Sequence, residues 1–106
     1  MIVLACADRP ARVVRSAPAA YPASARLTRG DLVVIVDVLV RADGSIAGAT
    51  VVRSSGKRDA DASALAAARA SAYAPARHDC AAAPGRARFE TTFAAPVAPS
   101  NLPPGL

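Results

Sequence analysis

The chain has 106 residues, a formal net charge of +5 and a hydrophobic fraction of 53% that includes 28 alanines. Because alanine buries little area, the core must come from Val, Leu, Ile and the few aromatic residues, and this length suffices for one domain. One histidine, two cysteines and scattered single glycines exclude the usual zinc motifs and a phosphate-binding glycine loop. No apolar run reaches the roughly 18 residues of a membrane span. We therefore expect a soluble domain with no catalytic residues, cofactor or metal.

The net positive charge comes from 12 arginines and one lysine, which are spread through the chain with acidic residues between them. Such spacing is typical of a solvated surface. A single-stranded nucleic-acid platform needs exposed rings, and the chain has only Tyr21, Tyr73, Phe89 and Phe93, most of them at core positions of the predicted elements. We expect no nucleic-acid partner.

The two cysteines, Cys6 and Cys80, lie near opposite ends of the predicted domain. An even count in a small domain with a thin core suggests a disulfide and an oxidising compartment. Closing a loop of about 75 residues would stabilise the domain by about 4 kcal/mol in the chain-entropy model. Two unrelated buried thiols are the alternative, and a metal site of both cysteines with His78 ranks last because it lacks a fourth ligand.

The first 15 residues are predicted to form a lead-in or a short strand. Residues 1–6 superficially resemble a lipobox, but too few residues precede Cys6 for a secretory signal, so an opening strand is expected there. Pro10 and Pro18 favour an irregular, extended segment over residues 7–20.

A short helix is predicted from Ala23 to Leu27, because helix formers follow Pro22 there and Gly30 comes soon after. The next segment, Leu32–Val40, is nearly all Val, Ile and Leu, which is typical of a central strand. Its even-numbered residues are expected to face the core, since Asp37 places the odd-numbered residues on the wet face.

Asp43-Gly44 predicts a hairpin turn in which both residues take positive φ, followed by a return strand from Ser45 to about Arg53. Ile46 and Val51 differ by an odd number, so both can reach the core only through a bulge. Gly48 is the residue expected to supply that bulge.

The main helix is predicted after the polar turn 54–58, from Asp59 or Asp61 to Ala72, with the early aspartates favouring the helix N-terminus. Leu65, Ala68, Ala72 and Ala62 share one face at helical spacing. Tyr73-Ala74-Pro75 is expected to end the helix.

A loop that contains Cys80 then leads to residues 86–93, which alternate as a half-buried strand does. One face carries Ala87, Phe89, Thr91 and Phe93, and the other carries Arg86, Arg88, Glu90 and Thr92. Four prolines in residues 96–106 predict a disordered tail.

Several of these residues, taken in order, resemble the C-terminal domain of TonB-family energy transducers. The resemblance covers about residues 16–95 and rests on Tyr21-Pro22-x-x-Ala25, Gly30, Asp43-Gly44, Ser54-Ser55-Gly56, Ala64-Leu65, Ala67-Ala68-Arg69, Tyr73-x-Pro75 and the last alternating strand. It implies a periplasmic or secreted α+β domain: a small antiparallel sheet of about three to four strands with two helices on one face.

The resemblance also implies function. Family members bind an extended segment of an outer-membrane transporter by adding it as a strand to the sheet edge. Full-length members reach an inner-membrane energising complex through an N-terminal anchor. The implied partner-binding residues are Tyr21, Pro22, Arg86, Arg88, Phe89, Glu90, Thr91 and Thr92.

Two alternatives remain open at this point. Arg86, Arg88 and Glu90 are equally well explained as charges that protect an edge strand from pairing. A stand-alone scaffold of the same fold, which forms a homodimer through that edge, is the second functional hypothesis.

Overall fold

The computed structural model describes residues 7–96. In chain order the elements are β1 (Arg12–Arg15), a 3-10 turn (Ala23–Arg26), β2 (Leu32–Val40), β3 (Ile46–Arg53), α1 (Arg58–Ala70), β4 (Ala72–Ala74), β5 (Ala76–His78), β6 (Ala81–Ala83) and β7 (Gly85–Phe93). A three-stranded antiparallel sheet has the order β3-β2-β7, and β1-β4 and β5-β6 form two small antiparallel pairs. The architecture fits the predicted α+β class with its small sheet. The prediction of a second helix was wrong, because Ala23–Arg26 is only a single 3-10 turn.

Strand β2 lies at the centre of the sheet and of the core. Val34, Val36 and Val38 are fully buried, so the even-numbered residues face the core as predicted. Each fully buried valine stabilises the fold by about 1.5–3 kcal/mol. On the opposite face Ile35 is also buried, at 6% exposure, between its cross-strand partners Arg53 and Glu90. Long charged side chains of this kind cover apolar neighbours with their stems.

The turn between β2 and β3 has a different geometry from the one predicted. Gly44 takes φ +88°, whereas Asp43 keeps a negative φ. The Gly44 N–H donates to Arg41 C=O at 2.8 Å, and the Arg41 N–H donates to Ser45 C=O at 2.8 Å. This is a type I turn with a glycine bulge, in which only one residue needs the left-handed conformation.

The predicted bulge in β3 is confirmed, and a second one accompanies it. Gly48 pairs with Leu39 and Ile46 with Val40, so the extra residue is Ala47 rather than Gly48 itself. A further shift leaves Val52 unpaired. With the Ala47 bulge, both Ile46 and Val51 pack against the core.

Helix α1 ends two residues before the predicted boundary. Ser71 terminates it with extended backbone, and Ala72 belongs to β4 rather than to the helical face. The residues that α1 buries are Ala60, Ala64, Ala67 and Ala68, whereas Leu65 is only partly buried and Ala62 is exposed. The prediction that α1 buries a face of small residues was therefore correct. The residues assigned to that face were wrong, except for Ala68.

The two small strand pairs were absent from the sequence prediction. Strand β1 lies within residues 1–15, for which a lead-in or a short strand was expected, and β5 and β6 lie in a segment expected to be a loop. A turn of Asp79 (φ 49°) and Cys80 (φ 68°) joins β5 to β6. Both residues are left-handed, as a type I′ turn requires, although its usual sequence is Asn-Gly.

Within residues 7–96, no helix is long and apolar enough to cross a membrane. The expected opening strand at residues 1–6 and the tail from residue 97 onward lie outside the described residues.

The aspartates at the start of α1 bind side chains of other segments. Asp61 accepts hydrogen bonds from the hydroxyl of Ser54, from the Ser55 N–H at 2.9 Å and from the Ser55 hydroxyl at 2.8 Å. Partial burial favours a higher pKa for Asp61, but these hydrogen bonds outweigh burial and lower its pKa below 3.8. Asp59 in turn accepts a bond from the Ser24 N–H at 2.9 Å, which joins the 3-10 turn to α1.

Two neighbouring substitutions in β2 test the assignment of its faces. Val36→Asp should unfold the domain, because it buries an unpaired carboxylate, a cost of several kcal/mol. Asp37→Asn should cost less than about 1 kcal/mol, since Asp37 makes only a surface ion pair. Urea denaturation followed by circular dichroism measures the free energy of unfolding of both variants. A large loss of stability in Asp37→Asn would show that the two faces of β2 are assigned the wrong way round.

Asp61 makes the free energy of unfolding of the domain depend on pH in the acidic range. Because folding lowers the pKa of Asp61, its contribution is complete only well above the unfolded-state value and is lost progressively as the pH falls toward and through the folded-state pKa. The free energy of unfolding should therefore drop less between about pH 6 and pH 3 in Asp61→Asn than in the parent chain. Equal drops in denaturation series at the two pH values would contradict this role.

Candidate protein-binding edge

The hydrogen bonds of the first hairpin show which side of β7 is open. The N–H and C=O of Arg41 both face β3, so alternation along β2 turns the main-chain groups of Val40, Val38 and the other even-numbered residues toward β7. β2 and β7 pair in unbroken register, with Val36 opposite Phe89. The odd-numbered residues of β7 therefore bond to β2, and the even-numbered residues direct their N–H and C=O groups away from the sheet.

The outward row of β7 consists of Arg86, Arg88, Glu90 and Thr92, all exposed. In the described part of the chain, β7 pairs with β2 and with no other strand. Each outward residue thus offers one free donor and one free acceptor. Such a row is a template for an added strand.

The charges along this row are already paired with one another or with β2. Arg86 Nη1 lies 3.3 Å from Asp37 Oδ2, and Arg88 Nη2 lies 3.9 Å from Glu90 Oε2. Exposed pairs like these contribute at most about 1 kcal/mol each. An incoming chain can therefore exchange them for its own charges at little cost.

Two of the residues implied by the resemblance face the other way. Phe89 is 3% exposed and lies in the core cluster, and Thr91 is half-buried on the same face. Their side chains support β7 from beneath, while the side chains on the outward row remain accessible.

Tyr21 and Pro22 lie at the C-terminal end of the open edge. The Tyr21 hydroxyl donates to Ala94 C=O at 2.5 Å, and its ring stands edge-on to Phe93 with centroids 6.3 Å apart. Pro22 is buried, and its carbonyl accepts the Ala25 N–H that closes the 3-10 turn. Ala94 directly follows β7, so the Tyr21 hydroxyl binds a main-chain carbonyl just beyond the end of the edge.

The N-terminal end of β7 is enclosed by β5 and by the residue that precedes β1. A Cβ added to Gly85 would lie 2.7 Å from Ala76 Cβ and 3.4 Å from Ala11 Cβ, so only glycine fits this approach. Sequence reasoning missed Ala94, Ala11 and Ala76 as boundaries of the edge, because no local signal marks contacts between segments this far apart.

A second group that the sequence did not predict lies at the β5–β6 turn. Asp8 Oδ2 is 3.1 Å from His78 Nδ1, and Asp8 Oδ1 accepts the Asp79 N–H at 3.1 Å. The Asp79 N–H and His78 together lower the pKa of Asp8. These bonds fasten the segment before β1 to the turn.

Cys80, in the same turn, is not a free thiol. The other cysteine, Cys6, falls outside the described residues. The expected pairing between them stays a prediction.

Comparison with known proteins identifies the family. Residues 17–94 match the family described as Gram-negative bacterial TonB protein C-terminal. No curated protein and no solved structure matches the chain. The family comprises periplasmic domains that bind proteins and are not enzymes. Because the match covers well over half of the chain, this protein belongs to the TonB C-terminal domain family.

Proposed function

We propose that the domain is a periplasmic module that binds an extended segment of an outer-membrane transporter by strand addition at the open edge of β7, in energy-coupled transport. The observation that carries this proposal is the unpaired main-chain row of Arg86, Arg88, Glu90 and Thr92. Main-chain hydrogen bonds supply affinity in this mode of recognition, and flanking side chains supply specificity. An N-terminal anchor that joins an inner-membrane energising complex is part of the same proposal.

The two ends of the edge define the length of the partner. At about 3.3 Å per residue, the seven residues from Arg86 to Thr92 offer a track of about 23 Å. Tyr21 limits this track at Ala94, where an incoming strand must displace its hydroxyl or stop. Tyr21 and Pro22 thereby contribute to binding at the end of the strand.

The outward charges orient the partner in this proposal. Arg86 and Arg88 lie toward the start of β7, and Glu90 follows them, so the edge is cationic first and anionic afterwards. A partner with acidic residues opposite the arginines gains charge-assisted bonds. If the charges instead only protect the edge, replacing them with alanine should strengthen peptide binding.

A proline at Arg88 tests strand addition directly. Arg88→Pro removes an outward N–H without touching the core, and edge strands tolerate proline at such positions. Affinity for synthetic peptides that copy extended transporter segments should fall at least tenfold, as measured by amide chemical-shift titration of the labelled domain. Arg88→Ala is the matched control, because it removes the same charge and keeps the N–H. Equal peptide affinity of Arg88→Pro and the parent chain would refute strand addition at β7.

Self-association competes for the same groups, so sedimentation equilibrium must accompany the titration. We expect a transporter peptide to dissociate any homodimer that forms through β7. A dimer that Arg88→Pro disrupts, and that no peptide displaces, would replace the transport role with the scaffold alternative.

We also propose that Cys6 and Cys80 form one disulfide, in keeping with a periplasmic location. The intact mass without reductant should be lower than that of the reduced chain by two hydrogens. Cys6→Ser should abolish this difference. Two thiols that react with a maleimide in the unreduced native protein would contradict both the disulfide and the compartment.

A further inference from the structure

Three arginines surround one cavity on the side of the molecule that carries β1. The cavity measures about 260 Å³ and is lined by Ala7, Arg9, Arg12 and Arg77. All four lining residues are exposed, so the cavity is open to solvent. None of these residues belongs to the open edge of β7.

The backbone fixes two of these arginines side by side. The Arg9 N–H donates to Arg77 C=O at 3.0 Å, and the Arg77 N–H donates to Arg9 C=O at 2.9 Å, so the two residues form a directly opposed antiparallel pair. Side chains of such a pair emerge on the same face, where like charges repel and destabilise the pairing. Arg77 Nη1 is held further by Cys80 C=O at 3.1 Å.

No acidic side chain compensates these charges among residues 7–96, where every ion pair involves other residues. Two carboxylates lie near these arginines in sequence. Asp8 uses both of its oxygens on His78 and on the Asp79 N–H, and Asp79 Oδ2 lies 3.4 Å from His78 Nε2. Residues 1–6 and 97–106 contain no Asp or Glu. Within residues 7–96 the structure therefore maintains three guanidinium groups around a cavity with no carboxylate in ion-pair contact with them.

From this arrangement we infer that the cavity is a binding site for a phosphomonoester group. A phosphate dianion presents three terminal oxygens, and each arginine offers a planar fork of donors that matches two of them. Binding would relieve the repulsion between Arg9 and Arg77 and satisfy Arg12 at the same time. At about 30 Å³ of liquid volume per water, the cavity holds several waters, in whose place a phosphate group fits.

The test is a titration of the full chain with inorganic phosphate at pH 7.5 and constant ionic strength, followed through the arginine side-chain signals. We expect saturable shifts at Arg9, Arg12 and Arg77 with one phosphate per chain, and at least tenfold weaker binding by Arg12→Gln. Arg29→Gln is the matched control, since Arg29 is an exposed loop arginine that does not line the cavity.

Two further titrations distinguish a soluble phosphomonoester from a lipid headgroup as the source of the phosphate group. Equal binding of glycerol 3-phosphate supports a soluble phosphomonoester, whereas binding only to vesicles that contain phosphatidic acid supports a lipid headgroup. Equal binding to phosphatidylglycerol vesicles, with Arg12→Gln and Arg29→Gln behaving alike, would show general charge attraction and overturn the proposal. Absence of saturable shifts with every probe would also overturn it.

Discussion

The hydrogen bonding of β2 on both of its sides determines most of the remaining structure. Its even-numbered residues face the core and bond to β7, and its odd-numbered residues face outward and bond to β3. Because side chains and main-chain groups alternate with the same period of two, the burial of Val36 and the outward direction of the Arg88 N–H follow from one constraint. The core and the open edge of β7 therefore cannot be altered independently.

Helix α1 connects the core to the end of that edge. Its alanine face packs closely on the sheet, while Asp59 bonds to Ser24 and the Ser63 hydroxyl donates to Ala20 C=O. These two bonds hold the segment that contains Tyr21, and Tyr21 in turn reaches Ala94. Loss of the carboxylate at position 59 would therefore weaken the attachment of the Tyr21 segment at the C-terminal end of β7.

Periodicity was sufficient to predict β2, β3, α1 and β7, because each is long and has a regular pattern of burial. It failed for β4, β5 and β6, which have only three residues each and are built mainly from Ala. For β1 it offered a lead-in or a short strand within residues 1–15 without choosing between them. The exposure of the charged residues of β7 could be predicted from alternation alone. The direction of their main-chain groups did not, because it depends on which strand lies on each side of β7. The arginine cavity joins residues 9 and 77, which no local pattern relates.

The two bulges of β3 make the two edges of the three-stranded sheet unequal. Ala47 and Val52 each interrupt the spacing of main-chain groups along the outer side of β3, so that side is an irregular template, whereas β7 is unbroken. Of the two edges of the three-stranded sheet, β7 is therefore the regular one. A contact between the β7 strands of two copies across a two-fold axis would occupy this edge in both, so such an assembly would close at two chains instead of growing into a fibre.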